Sequence, residues 1–238
     1  MKSVRCFLLP NDCGSVQVGP QVVVVDVLRA STTICSALLQ GAVAVKPFAE
    51  IESARRFAAG DPSGILLGGE RGGSRVPGFD LGNSPLEYVS DVVRGKTIAF
   101  TTTNGTRAME RCRGAESVLV GAFCNLSLLA KQLTGRNQLD IVCAGTDGKF
   151  SVEDSAFAGA LVELFCKDGG FSLNEAAETC LQLWQKSRQD LLGVMRGGSG
   201  GRNLGRLGRD EDIEFASRLD TLEVVPRLDV RDWKIEPA

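Results

Sequence analysis

The 238-residue chain contains no histidine. That absence removes the commonest general base and the nitrogen donor on which most zinc and iron sites depend. It excludes Ser-His-Asp and Cys-His nucleophiles and every histidine phosphatase. Eight cysteines are present, but no two stand in C-x-x-C spacing, so neither a zinc site nor a redox pair is expected. They fall mostly inside apolar stretches and read as small buried hydrophobes. No apolar run reaches transmembrane length, and MKSVRCFLLPND at the start has too short an apolar stretch for a signal peptide. A cytoplasmic protein with no membrane partner is the expectation. Lys and Arg number 27 against 29 Asp and Glu, a net charge of −2. No global field therefore draws the chain to nucleic acid, and an anionic ligand must be held by local arginines.

Common phosphate-handling signatures are missing too. The P-loop pattern fails around Gly148 and Lys149, where Cys143 stands in place of the first glycine and Phe150 follows the lysine. No G-x-G-x-x-G follows a strand, and no cysteine is followed by arginine at the spacing of a cysteine phosphatase loop. An apolar run ending in Asp26 is reminiscent of haloacid-dehalogenase-type phosphatases, but Leu28 occupies the place of their second aspartate. If the chain is an enzyme, carboxylates, hydroxyls, arginines and an oxygen-seeking cation such as Mg²⁺ must do the work.

What is present centres on Val22 to Thr33, VVVVDVLRASTT. Four consecutive valines cannot alternate faces, so a strand here is covered on both sides, as in the parallel sheet of an α/β protein. Asp26 then lies at the carboxyl end of a central strand, the edge where open α/β sheets bind ligands. The hydroxyls of Ser31 to Thr33 can cap a helix running through Gln40. Free N–H groups at that helix start, the Arg29 fork and a metal-binding Asp26 would together grip a phosphate. A buried strand ending in a capping aspartate fits this stretch equally well.

The chain continues in β-α-β rhythm. Residues 4 to 9 read as an edge strand, followed by a polar stretch at Asn11 to Gly19. Ala42 to Lys46 and Ile65 to Leu67 read as strands flanking a helix at Glu50 to Ala59, which predicts parallel pairing. Gly68 to Pro85, GGERGGSRVPGFDLGNSP, is a long loop carrying Glu70, Arg71 and Asn83, and its length points to function. Thr97 to Phe100 is a strand leading into TTTNGTR at 101 to 107, a second hydroxyl-rich turn with an arginine behind it. Strands follow at Ser117 to Gly121 and Leu139 to Cys143, with an Asn125-capped helix between them. A helix from Ser151 carries Glu153 and Asp154 in its first turn, about 100° apart, so at most one faces the sheet edge. Leu173 to Arg196 reads as one long helix. The stretch from Arg196 to Arg209 reads as a mobile loop, with closure over an anionic substrate as the alternative. A helix at Asp210 to Arg218 and a strand at Leu222 to Val225 end the reading. The expected fold is α/β, a three-layer α/β/α arrangement with a mostly parallel central sheet, in one domain over residues 1–238.

Six motifs in order, DVLRASTT (26–33), GGER (68–71), GFDLGNSP (78–85), TTTNGT (101–106), CAG (143–145) and VEDSAFAG (152–159), resemble the 2-phosphosulfolactate phosphatase family. The resemblance covers roughly residues 20 to 165 and continues more weakly to Pro226. It implies a Mg²⁺-dependent α/β/α phosphatase that converts 2-phospho-3-sulfolactate to 3-sulfolactate, a step toward coenzyme M. On these motifs the expected catalytic residues are Asp26, Arg29, Asn104 and Arg107. Substrate contacts are expected from Thr32, Thr33, Arg71, Asn83, Thr103, Gly105 and Thr106, and Mg²⁺ ligands from Asp26, Glu70 and Asp154. Arg29 and Arg107 would hold the phosphate and Arg71 the sulfonate or carboxylate. The expected partner is a small phosphorylated hydroxyacid, with homo-oligomerisation left open. Another 2-phospho-hydroxyacid, or binding of an anionic metabolite without turnover, remains as the alternative function.

Overall fold

A computed structural model describes residues 2–14 and 17–238; the polar stretch expected at 11–19 lies partly outside them. In chain order come β1 (Ser3–Phe7), β2 (Gln21–Val25), α1 (Ala30–Leu39), β3 (Ala44–Pro47), α2 (Ile51–Ala58), β4 (Ile65–Arg71), β5 (Ser74–Arg75) and α3 (Ser90–Val93). The middle of the chain forms β6 (Thr97–Thr101), α4 (Gly105–Glu110), β7 (Ser117–Gly121), α5 (Leu126–Gln132), β8 (Gln138–Cys143) and α6 (Val152–Phe165). The last third forms β9 (Ser172–Leu173), α7 (Glu175–Ser187), α8 (Leu191–Gly197), α9 (Ser199–Arg206), α10 (Asp210–Ala216), β10 (Pro226–Asp229) and β11 (Lys234–Pro237).

Every residue of β2 is buried, and it runs parallel to both neighbours, β7 and β8. The valine run works as its composition requires. Val22 and Val24 enter one apolar core, with α1, while Val23 and Val25 enter the other, with α6 and α7. One sheet lies between two helical layers, in the order β5-β4-β6-β3-β11-β10-β7-β2-β8-β1-β9. Its pairs are parallel except at β5 and at the β10–β11 hairpin. The expected α/β/α fold with a mostly parallel sheet is therefore what the chain adopts.

Four local expectations are corrected. β1 is not the edge, because the two-residue β9 pairs beyond it. Leu222, Val224 and Val225 are buried without joining the sheet, and the ladder starts at Pro226. The resulting hairpin enters mid-sheet, between β7 and β3, a long-range event that no local pattern reports. The long helix is broken between α7 and α8, where Asp190 accepts a hydrogen bond from the Gly193 amide at 3.0 Å and starts a new helix. Finally, the Gly/Arg stretch is helical as α9 rather than a mobile loop. Gly200 and Gly201 are buried there, and a Cβ on either would overlap Glu153 or the Met195 carbonyl, respectively. These glycines permit close packing.

All eight cysteines are free; Cys166 is half-buried and the others are buried, as their apolar surroundings suggested. Among the described residues, no helix is long and apolar enough to cross a membrane.

Candidate active site

The segments that leave β2, β4, β6 and β8 at their carboxyl ends meet α9 around a small polar cleft. Asp26 leads into it from β2 and is 6 % exposed. A tight turn aims it: the Asp26 amide donates to Ser31 Oγ at 2.9 Å and the Ser31 amide donates to the Asp26 carbonyl at 2.8 Å. Gly105 packs directly on this carboxylate. A Cβ there would stand 2.8 Å from Asp26 Oδ2 and from the Ala30 Cβ, so the turn after β6 can come this close only with glycine. Burial, and then the charge of Glu70, push the Asp26 carboxyl up to about 7; Glu153 adds to the rise, while the Ala30 amide and Arg29 oppose it.

Arg29 is 4 % exposed and carries a fixed charge. Its Nη1 lies 2.7 Å from Asp212 Oδ2 and its Nη2 donates to the Gly73 carbonyl at 2.6 Å. Asp212, on α10, also accepts from Ser84 Oγ at 2.5 Å. One buried carboxylate thus ties the C-terminal helices to the arginine and to the loop before α3. Two of the five guanidinium N–H donors are engaged this way, which leaves others for an anion.

Among the described residues, three buried side-chain atoms have no hydrogen-bond partner: Asn83 Oδ1, Thr103 Oγ1 and Glu153 Oε2. Asn83 and Thr103 line the cleft. Glu153 lies beneath its α9 wall, against Gly198 and Gly200. An unsatisfied buried polar group costs about 1–3 kcal/mol. Two such atoms on the cleft, with a third behind its wall, point to a site whose hydrogen bonds are completed by a ligand.

Glu70 is held by two amides, Thr103 N to Oε1 and Gly73 N to Oε2, each at 2.7 Å. Asp154 accepts from Val27 N at 2.8 Å and Gly145 N at 3.0 Å, bracing the ends of β2 and β8. Its carboxyl is raised by burial and then by the charges of Asp26 and Glu153. Thr32 donates to the Val27 carbonyl and Thr33 to the Asn83 carbonyl, each at 2.8 Å. These hydroxyls fasten the surrounding loops, so α1 has no side-chain cap of the expected kind. Thr106 likewise donates to the Thr102 carbonyl. Arg71 donates to the carbonyls of Glu70 and Ala49 and to Thr101 Oγ1, away from the cleft. Arg107 is exposed and lines a neighbouring cleft with Arg111 and Arg113.

Of the expected site residues, the structure gathers Asp26, Arg29, Glu70, Asn83, Thr103 and Asn104 on one cleft. Gly105, Thr32, Thr33, Thr106 and Asp154 frame it, while Arg71 and Arg107 lie outside it. Glu153, Asp212, Ser84 and the turn at Thr146 and Asp147 belong to the site or its support and were not singled out as such from sequence. The only signal for Asp212 was an acidic run, Asp210 to Asp212, at a helix start, which reads as ordinary dipole compensation.

Among the described residues, no three Asp, Glu, Cys or His side chains gather as a metal-binding group. The expected three-carboxylate set is thus not assembled here. Asp26 and Glu70 nevertheless share the cleft, and Mg²⁺ is commonly bound by one or two carboxylates, waters and substrate phosphate. The donor set fits that cation.

Comparison with known proteins bears on the same residues. The sequence pattern of the family described as 2-phosphosulpholactate phosphatase matches residues 8–230. Three relatives share the name "Probable 2-phosphosulfolactate phosphatase". That of Caldanaerobacter subterraneus subsp. tengcongensis is 42 % identical over 209 residues, covering 87 % of each chain. Those of Gloeobacter violaceus and a Synechococcus species are 43 % and 41 % identical, covering 86 % and 93 % of each chain, respectively. With a family match that includes every cleft residue named above, this chain belongs to the 2-phosphosulfolactate phosphatase family.

Proposed function

We propose that the chain, a phosphoric monoester hydrolase by family, removes phosphate from 2-phospho-3-sulfolactate to leave 3-sulfolactate, with Mg²⁺ held by Asp26 and Glu70. The observation that carries this reading is the convergence of Arg29 with the unpartnered polar atoms of Asn83 and Thr103 on one cleft. The Arg29 fork and the Thr103 hydroxyl donate to phosphate oxygens; the Asn83 amide, rotated to present its NH₂, and Asn104 add further donors. Asp212 holds Arg29 in place before substrate arrives, so little reorganisation accompanies the reaction. Gly200, Asn203 and Leu204 of α9 form one wall of the cleft. Asp154 positions the ends of β2 and β8 through their amides. Held by Asp26 and Glu70, Mg²⁺ would supply charge stabilisation to the transferring group and its leaving oxygen.

Binding without turnover is the weaker reading. Asp26, Glu70 and Glu153 would repel an anionic metabolite unless a cation lay between them, and that cation is what phosphoryl transfer requires. The same reading includes a cytoplasmic location and a place on the route to coenzyme M.

The test is phosphate release from 2-phospho-3-sulfolactate, 2-phospholactate and phosphoglycolate, with Mg²⁺ and after chelation. Release should be fastest from the sulfonated compound, stop on chelation and return with Mg²⁺ or Mn²⁺. Absence of release from all three in Mg²⁺, or undiminished release after exhaustive chelation, contradicts the reading.

A further inference from the structure

We infer that the basic cleft beside the reaction site, lined by Arg107, Arg111 and Asn104, receives the sulfonate-bearing arm of the substrate. The inference rests on the proposed reaction and adds to it a specificity site on α4. Space motivates it first. The reaction cleft offers about 50 Å³, whereas the neighbouring cleft offers about 420 Å³. Small-molecule sites are commonly about 300 Å³ or larger. The first cleft suits a phosphoryl group, and the remainder of a three-carbon frame with two further anionic groups needs room elsewhere.

The two clefts adjoin. Asn104 lines both, and the turn from Thr146 to Gly148 separates them, with Thr146 and Asp147 facing one and Gly148 the other. A substrate whose phosphate lies beside Arg29 can therefore extend past Asn104. Charge completes the case. The larger cleft carries Arg107, Arg111 and Arg113 against a single acidic residue, Glu110. Arg113 stacks on Trp233 at 3.7 Å and lies 3.9 Å from Glu110, while Arg111 donates to Asn11 Oδ1 at 2.8 Å. Arg107 alone among these arginines has neither a side-chain hydrogen bond nor an ion pair among the described residues. Arg107 and Arg111 stand four residues apart, on the same side of the helical turn. Arg71, the arginine expected to read this arm, is instead held by two carbonyls and the Thr101 hydroxyl.

The experiment compares wild type, Arg107→Gln and Arg107→Lys on 2-phospho-3-sulfolactate and on 2-phospholactate, which has the same frame without the sulfonate. Calorimetric binding of 3-sulfolactate is measured in parallel, and thermal melts check folding. In Arg107→Gln the ratio of kcat/KM for the two substrates should fall about ten-fold to a hundred-fold, the size of a lost charge-assisted hydrogen bond. Affinity for 3-sulfolactate should fall likewise, with partial recovery in Arg107→Lys. An unchanged ratio, or unchanged 3-sulfolactate affinity, overturns the inference. If wild type hydrolyses neither substrate, the reaction reading fails on its own, and the calorimetric comparison still decides whether Arg107 holds the sulfonate.

Discussion

Replacing Asp26 with asparagine is expected to lower turnover by about a thousand-fold while leaving the protein folded. The magnitude is the upper range seen when one preorganised charge-stabilising group is removed from an active site. An amide keeps the shape of the side chain beside Gly105 but cannot supply the negative charge that a bound cation needs. The same substitution has a second, opposite signature. Burial and the charge of Glu70 raise the Asp26 carboxyl from 3.8 to about 7 in the folded protein. The folded state therefore holds this proton more tightly than the unfolded state. Without metal, the associated stability is present below about pH 4 and lost as pH rises toward about 7. That rise corresponds to at most about 4 kcal/mol. Asparagine never ionises, so in chelator Asp26→Asn should be the more stable protein at neutral pH and should lose less stability between pH 4 and 8. Thermal melts across that range, beside phosphate-release assays, check both parts. Normal turnover in the folded variant would remove Asp26 from the chemistry.

Arg29→Gln is expected to lower kcat/KM about a hundred-fold and, unlike the Asp26 variant, to destabilise the fold. The catalytic loss follows from removing a charge-assisted fork from the phosphate. The stability loss follows from Asp212, which is 1 % exposed and pairs with Arg29 at 2.7 Å. Removing one member of a buried pair leaves an uncompensated charge and costs about 3–5 kcal/mol. Asp212→Asn in the Arg29→Gln background removes that stranded charge. The double variant should therefore regain much of the stability and none of the activity. Denaturant unfolding of the two single variants and the double variant, with phosphate release measured on each, tests this. Independent, additive destabilisation by the two substitutions would show that the pair does not anchor α10 to the site.

The parts of the site legible in the sequence were those built from contiguous residues. A valine run too long to alternate requires cover on both faces, and Asp26 and Arg29 follow it directly. Glu70 ends β4 while Asn83, Thr103 and Asn104 lie in segments after β5 and β6, and the sheet topology brings them to one edge. Side-chain direction was less legible. Arg71 and Arg107 belong to the right segments, but local strand and helix phase send one guanidinium to Ala49 and Thr101 and the other to a separate cleft. Glu153 and Asp154 do diverge as adjacent helical residues must, yet the divergence alone could not say that Asp154 would be held by the Val27 and Gly145 amides while Glu153 kept an unpartnered oxygen. Asp212 was illegible because it meets Arg29 across 183 positions of sequence. Glycine composition misled at 198–201, since glycine serves flexible loops and tightly packed backbones alike. Entry of the C-terminal hairpin into the middle of the sheet is likewise a tertiary choice, written in no local period.

In the proposed reaction, phosphoryl transfer takes place between Asp26 and Arg29. Its most direct test is a crystal structure of the protein with Mg²⁺ and orthovanadate, a mimic of the transferring phosphoryl group. The account predicts the oxyanion in the small cleft, contacting Arg29 and Thr103, with Mg²⁺ on Asp26. Vanadate bound at another site, with this cleft empty and Asp26 free of metal, would contradict it.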